Sequence, residues 1–145
     1  MSGGGIPAPR GCTCHRLRRT ARRVTRLYDS HLAPSGLTLN QYSLLAVLAF
    51  AKAAPTLGEL AALMGMDRTT LTRDLRPLLA RGLIARQAGG DRRRRAMALT
   101  EPGRAAWEEA RGLWRAAQDV IEERLGREIT ARLHELLDGA FAALE

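Results

Sequence analysis

The sequence lacks any apolar run that approaches the roughly 20 residues needed to cross a bilayer. Its start also lacks the apolar stretch after a basic end that is typical of a secretory signal, so we expect the protein to stay in the cytoplasm. A length of 145 residues argues against a large enzyme with a separate cofactor domain. The chain is 46% hydrophobic and 26% charged, which excludes wholesale disorder and predicts one domain, or a small domain with oligomerisation helices.

Recognisable catalytic groups are missing as well. The chain has no glycine-rich phosphate loop, no paired carboxylates in a plausible cleft and no Ser/His/Asp set. Cys14 and His15 are adjacent in sequence, which does not make a nucleophile and base pair. We therefore predict that the protein is not an enzyme and requires no cofactor. A small thiol-transfer enzyme is the rival interpretation, and a thiol-transfer activity assay with alkylation of Cys14 as the control would test it.

Lysine is almost absent, because 22 of the 23 basic residues are arginine. The net charge of +8 is unevenly distributed. Residues 1–40 carry seven arginines and one acid, residues 55–99 carry nine arginines and four acids, and residues 100–145 carry six arginines and ten acids. The two N-terminal segments are therefore basic and the C-terminal segment is acidic, which indicates that one surface binds a polyanion. The alternative is that these charges only form ordinary solvated faces.

Apolar spacing and capping residues predict a series of helices. Residues 1–11 are rich in glycine and proline and predict a flexible arm, which is followed by an amphipathic helix over 14–32. Capping boxes at Thr38 to Gln41 and at Thr56 to Glu59 open a helix over 42–52, predicted to be buried, and a short helix that ends at Met64. Asp67 caps a helix that ends near Arg81. A long helix over about 23 residues from position 100 and a final helix complete the chain.

Two short helices joined at Gly65 and followed by a hairpin are typical of a winged helix-turn-helix. The hairpin is predicted from short strands over 83–87 and 95–99, on either side of a glycine turn. The fold class is therefore mainly α with a small β-hairpin wing. We expect a winged helix-turn-helix DNA-binding domain over 37–100, flanked by dimerisation helices over 12–36 and 101–145. A chain this short cannot easily bury its long helix by itself, which favours a homodimer.

The polar face of the helix that Asp67 caps is suited to double-stranded DNA. Such a helix fits the major groove, where arginine can bridge guanine acceptors and threonine offers a hydroxyl or a methyl group. The arginine-rich hairpin tip would lie on the adjacent minor groove or phosphates. The predicted DNA-binding residues are Arg68, Thr69, Thr70, Thr72, Arg73, Arg76, Arg92, Arg93, Arg94 and Arg95. A solvated helix face and a solubilising loop are the alternatives.

Residues 37–104 resemble the MarR family of bacterial transcription regulators. The segment Asp67 to Arg73, followed by Arg81 to Ile84, resembles the family's recognition helix and its exit, and Asp91 to Arg93 with Leu99 to Arg104 resembles its wing. The wing departs from the family in having almost only arginine where lysine is usual. The resemblance implies a dimer with intertwined terminal helices, and a repressor of a pseudo-palindromic operator that a small ligand or thiol oxidation releases. A non-specific nucleoid-type DNA-binding protein is the alternative.

Two sets of residues are candidates for sensing a signal. The resemblance implies a ligand pocket between the dimer helices and the DNA-binding lobe, for which the candidates are Tyr28, His31, Tyr42, Phe50 and Trp107. Aromatic residues at helical spacing are more often core residues. Cys12 and Cys14 lie near arginines at a helix start, where thiols are more reactive, and with His15 they could sense oxidants or bind a soft metal. The alternative is that Cys12 and Cys14 are reduced, lie in a mobile arm and have no function of their own.

Overall fold

A computed structural model describes residues 9–87 and 95–145 of the chain. Within these ranges it contains six α-helices and one antiparallel pair of strands, which confirms the predicted fold class. The elements are α1 (Thr13–Leu32), α2 (Leu39–Phe50), α3 (Leu57–Met64), α4 (Arg68–Ala80), β1 (Ile84–Gln87), β2 (Ala96–Leu99), α5 (Glu101–Leu125) and α6 (Arg127–Ala143). A single turn of 3₁₀-helix, Ala33–Ser35, links α1 to the segment before α2.

Both predicted capping boxes are present. The Thr38 hydroxyl accepts from the Gln41 amide at 3.2 Å, and the Thr38 amide donates to Gln41 Oε1 at 3.1 Å. Thr56 and Glu59 make the same reciprocal pair, at 3.2 and 2.8 Å. Because each box satisfies two amides that the helix itself leaves unpaired, these bonds fix where α2 and α3 begin.

The core is built where α2 lies between α1, α4 and α5. Its largest fully buried side chains are leucines from several elements: Leu32, Leu44, Leu45, Leu60, Leu71, Leu75 and Leu78. The expectation that α2 is buried holds for its middle but is wrong for its end, where Phe50 is 76% exposed. The helix also stops at Phe50 instead of Lys52, because Ala51 turns to extended backbone.

The wing is tied to the helix-turn-helix at its base. Strands β1 and β2 pair in register from Ile84 with Leu99 to Gln87 with Ala96. A third short segment joins them, since the Met97 amide donates to the Pro55 carbonyl at 2.9 Å and the Leu57 amide donates to the Arg95 carbonyl at 3.1 Å. This segment, which immediately precedes α3, was not predicted. It fixes the described part of the wing to the start of α3.

Helix α6 presents an apolar face to solvent in the single chain. Its large exposed side chains follow helical spacing: Ile129 (61% exposed), Leu133 (36%), Leu136 (64%), Leu137 (40%), Phe141 (59%) and, just after the helix, Leu144 (82%). The only fully buried residue of α6 is Thr130, whose hydroxyl bonds the Gly126 carbonyl at 2.9 Å. A contiguous apolar surface of this kind marks an interaction site. No helix in the described ranges is long and apolar enough to span a membrane.

Candidate nucleic-acid interface

The turn between α3 and α4 is fixed by local hydrogen bonds. Gly65 adopts a left-handed conformation (φ 62°), and its amide donates to the Ala62 carbonyl while the Met66 amide donates to the Ala61 carbonyl. This Schellman arrangement ends α3 and redirects the chain into α4. The Phe141 ring also lies beside Gly65, because a Cβ at this position would lie 3.2 Å from it. The end of α6 therefore packs on the helix-turn-helix turn of the same chain.

Asp67 begins α4 and is held by Thr70. Asp67 Oδ1 accepts from the Thr70 amide at 2.7 Å, and its Oδ2 accepts from the Thr70 hydroxyl at 3.1 Å. The hydrogen bonds from Thr70 lower the pKa of the Asp67 carboxyl below its ordinary value. The Thr70 hydroxyl is thus engaged in capping, and this sets Thr70 apart from the other predicted DNA-binding residues of α4.

The remaining predicted residues of α4 share one exposed surface. It consists of Arg68, Thr69, Thr72, Arg73 and Arg76, while Leu71, Leu75 and Leu78 bury the opposite side of the helix. We call this surface the α4 polar face. It carries three exposed arginines and no acid of its own, so it presents positive charge and hydrogen-bond donors to solvent.

Two arginines of the α4 polar face have defined surroundings. The Arg68 guanidinium reaches back over α3, with Nη2 3.7 Å from the position that a Cβ on Gly58 would take. Arg73 Nε lies 4.0 Å from Asp74 Oδ1, and Asn40 donates to the other oxygen of Asp74 at 3.4 Å. The Arg73 side chain remains 76% exposed, so this ion pair leaves it accessible.

Only the base of the predicted basic wing is described. Arg95 is exposed, and its carbonyl receives the bond from Leu57. The other predicted wing contacts, Arg92, Arg93 and Arg94, lie outside the described residues, as does the glycine turn. The helix α4 ends beside the wing in a second Schellman arrangement, in which Gly82 (φ 70°) donates to Leu79 and Leu83 donates to Leu78.

The predicted ligand-pocket residues divide between core and surface. Tyr28, Tyr42 and Trp107 are buried, whereas Phe50 is exposed and meets the Trp107 ring edge-on with centroids 5.3 Å apart. His31 is half-buried, and its Nδ1 lies 2.9 Å from the Leu27 carbonyl. None of these five residues lines the two surface clefts of about 510 and 380 Å³ in the described chain. Their role in binding a ligand stays a prediction.

Trp114 is the aromatic residue that sequence reasoning left out of this set. Its ring stacks between those of Tyr28 (6.2 Å) and Tyr42 (5.9 Å). Trp114 shares the α5 stripe with Trp107, seven residues away, and that spacing was the available signal. The Tyr28 hydroxyl also donates to Gln118 Oε1, and Gln118 donates in turn to Glu122 at 3.2 Å.

Burial shapes the chemistry of this aromatic cluster. It raises the pKa of Tyr28, with a further contribution from Glu122, and it raises the pKa of Tyr42, where Trp107, Arg111 and Arg115 offset part of the rise. Trp107 Nε1 is buried beside the Tyr42 hydroxyl, whose pKa it lowers. The Arg111 guanidinium lies over the Trp107 ring, 5.1 Å from its centroid. The Trp107 N–H and the Tyr42 hydroxyl therefore lie close together in this buried cluster, beside the Arg111 cation.

Both cysteines are free and exposed. Cys12 caps α1, with its Sγ accepting from the His15 amide at 3.4 Å. Across residues 9–87 and 95–145, no three side chains of His, Cys, Asp or Glu are grouped so that they could hold a metal ion. Cys12, Cys14 and His15 are therefore not assembled as metal ligands, and their role as a sensor stays a prediction.

A pair of helices joined by a tight glycine turn, followed by a hairpin and an exposed arginine-bearing helix face, defines a winged helix-turn-helix protein. Known proteins share this architecture. The model of the MarR family matches residues 35–95. The transcriptional regulator MosR of M. tuberculosis is 38% identical over 93% of this chain and 99% of its own, with a TM-score of 0.79. MosR in complex with DNA is 40% identical over 91% and 98% of the two chains, with a TM-score of 0.78.

The transcriptional repressor CouR bound to p-coumaroyl-CoA is also similar, at 28% identity over 91% of this chain and 96% of that chain, with a TM-score of 0.78. CouR comes from Rhodococcus jostii RHA1. No curated protein matches the sequence. The chain belongs to the MarR family of transcriptional regulators, as its resemblance implied, and is a DNA-binding regulator.

Proposed function

We propose that this protein is a homodimeric repressor that binds a pseudo-palindromic operator through helix α4. The observation that carries the proposal is the α4 polar face, which presents Arg68, Arg73 and Arg76 to solvent on a helix otherwise anchored by buried leucines. Residues near the N-terminus of such a helix reach base edges in the major groove. Arg68 and Thr69 would read bases, Arg73 and Arg76 would add charge, and Arg92 to Arg95 would lie on the minor groove or phosphates.

The proposed dimer rests on α6. Most of its apolar face is uncovered in the described chain, with Ile129 and Leu136 more than 60% exposed, whereas Phe141 lies against Gly65. Packing α1 and α6 of two copies together would bury this face and set the two α4 helices on one side of the dimer. Half-sites about one helical turn of DNA apart would then match the two-fold symmetry of the protein.

Release by a signal is the third part of the proposal. The relative CouR is bound to p-coumaroyl-CoA. In this chain an effector would bind near Tyr28, Tyr42 and Trp107, the buried aromatic residues of α1, α2 and α5. A ligand that favours one separation of the two DNA-binding lobes would shift the population away from the DNA-bound form. Oxidation of the exposed Cys12 and Cys14 is the other way in which the protein would be released from DNA. Replacing both cysteines by serine would abolish this release.

A selection from random double-stranded DNA at about 0.15 M salt, where the Debye length is roughly 8 Å, tests the proposal. We expect enrichment of an inverted repeat with half-sites one turn apart. On that operator Arg73→Ala should weaken binding, and Arg68→Ala should relax base preference at one position, by about 1–3 kcal/mol of discrimination. Arg124→Ala, an exposed arginine of α5, is the matched control.

Three outcomes would count against the proposal. Tight binding without any enriched sequence would favour the nucleoid-type alternative, whose affinity depends steeply on salt and not on sequence. Unchanged operator affinity in both α4 variants would show that α4 is not the recognition helix. Transcription in a purified system that rises when the protein occupies the operator would replace repression by activation.

A further inference from the structure

Helix α1 carries a set of arginines that the proposed function does not use. Six of them are exposed: Arg16, Arg18, Arg19, Arg22, Arg23 and Arg26. Over residues 13–28 the helix has no acidic residue. In the described chain the ion pairs are Arg73 with Asp74 and Arg127 with Glu122, so no arginine of α1 has an acidic partner there. Like charges four residues apart destabilise a helix, which means that this charge is maintained against local stability.

Three of these arginines share one open side of α1. Arg18, Arg22 and Arg26 lie there at intervals of four and, with Ala21 and Thr25, line a shallow, open cleft of about 510 Å³. We call these three residues the α1 arginine row. Arg16, Arg19 and Arg23 do not line this cleft, although they have the same charge and are also exposed.

The α1 arginine row adjoins the α4 polar face. Thr25 lines the 510 Å³ cleft and also a second cleft of about 380 Å³. Arg73 and Pro77 of α4 line the other side of that second cleft. One surface therefore continues from Arg73, through Thr25, to the arginine row.

Two carboxylates in the second cleft are engaged locally. Asp29 Oδ1 accepts from the Leu39 amide at 2.7 Å. Asp74 accepts from Asn40 and lies beside Arg73. Neither makes an ion pair with the arginine row, so the positive charge of the row is not neutralised at this junction.

We propose that the α1 arginine row binds backbone phosphates of the duplex next to the half-site that α4 reads. This rests on the proposed role of α4. From Arg18 to Arg26 the helix rises about 12 Å, at roughly 1.5 Å per residue, and duplex DNA presents one negative charge per roughly 1.7 Å of its axis. Three guanidinium groups along such a length match a run of phosphates. Contacts of this kind position the protein and carry no sequence information.

The test replaces Arg18, Arg22 and Arg26 together by glutamine in the full chain. The matched control replaces Arg16, Arg19 and Arg23 by glutamine, which removes the same charge from the same helix. Binding is measured to the selected operator and to a scrambled duplex of equal length, over a range of salt concentrations. Glutamine and arginine have similar helix propensity, and circular dichroism checks that α1 is retained.

We expect the row variant to bind both duplexes more weakly by the same factor. The slope of log K against log salt should fall by about 0.9 for each phosphate that the variant no longer neutralises. Hydroxyl-radical footprinting should show backbone sugars next to the half-site that the wild type protects and the row variant exposes. The control variant should keep these protections and most of the slope.

Other results would overturn the inference. An equal decrease in affinity in both variants would mean that only diffuse charge matters. A decrease confined to the operator would mean that the row reads sequence. Weaker self-association in the row variant, measured by sedimentation, would assign the row to the acidic α5 and α6 of a second copy. Failure of the α4 proposal is separate, since it appears as missing operator preference in the wild type, whereas the row is judged from the footprint and the salt slope.

Discussion

Gly103, in the first turn of α5, packs directly against the backbone of Leu83, just after the end of α4. A Cβ at Gly103 would lie 1.8 Å from the Leu83 carbonyl oxygen and 2.8 Å from Leu99 Cδ1. The same Leu83 oxygen accepts from the Thr100 amide at 3.2 Å, and the Thr100 hydroxyl donates to the Gly82 carbonyl at 2.6 Å. The start of α5 is therefore fixed to the segment that follows α4 by contacts that leave no room for a side chain.

Replacing Gly103 by alanine should destabilise the protein. The obstructing atom belongs to the backbone, so the wing or α5 must shift, and overpacking of this kind costs about 1–3 kcal/mol or more. The measurement is the free energy of unfolding in urea. DNA affinity should fall as well, because the displaced segments carry α4 and the wing.

Gly112 provides the control for this change. It lies in the interior of the same helix, and a Cβ there would meet no other part of the described chain within 4 Å, so Gly112→Ala should stabilise by about 0.5–1 kcal/mol. Equal effects at the two positions would contradict the packing argument.

Asp67 should make the start of α4 sensitive to acid. Its pKa is lowered by the hydrogen bonds from Thr70, so its stabilising effect is complete above its ordinary value of 3.8 and is lost as the pH falls through the lower value of the folded state. Asp67→Asn keeps a good cap without a titrating group. The difference in thermal stability between the two proteins should shrink or reverse as the solution is acidified. A difference that does not vary with pH would rule out this contribution.

Tyr28 and Tyr42 should ionise at a higher pH in the native protein than in the unfolded chain. Burial raises the pKa of both Tyr28 and Tyr42 above 10.0, so native stability is complete below that value and falls as the pH rises through the folded-state values. Tyrosinate absorbance followed against pH, with and without denaturant, measures the shift. Glu122→Gln should bring the Tyr28 transition to lower pH, and Tyr28→Phe identifies which transition belongs to which ring. Ionisation of both at the unfolded value would contradict the buried packing.

A charge on the apolar face of α6 should separate the proposed dimer. Leu136 is 64% exposed in the single chain, and an aspartate there would lie unpaired in the buried interface. Leu136→Asp should lower the mass observed in sedimentation and weaken binding to the inverted repeat. Ala131→Asp, which is exposed on a different side of α6, adds the same charge and should leave both unchanged. If both variants remain dimeric, the interface does not lie on this face of α6.

The helix-turn-helix could be predicted because its determinants are local. Thr38, Thr56 and Asp67 cap helices within three residues, and Gly65 bonds within five. Each of these signals involves a short stretch of sequence, so spacing alone identifies them. The exposed arginines of α4 follow from the same argument, since the buried leucines fix which side of the helix faces solvent.

Contacts between distant segments could not be predicted in the same way. No sequence signal near Pro55 indicates that its carbonyl accepts from the Met97 amide. The predicted end of α2, a few residues earlier, was also wrong. The alanines after Phe50 suit a helix, but the chain becomes extended before it joins the wing. The Phe141 ring over Gly65 and the stacking of Trp114 between two tyrosines likewise depend on tertiary packing.

The two tryptophans of the protein lie on the same helix, and this makes its fluorescence unusually easy to assign. Trp107 lies against Phe50 and Arg111, and Trp114 is stacked between Tyr28 and Tyr42. All indole emission therefore originates from α5, and none from α3, α4 or the wing. An unlabelled sample reports directly on events at the junction of α5 with α1 and α2. If DNA binds through α4 as proposed and changes that emission, the change has been transmitted from α4 to α5.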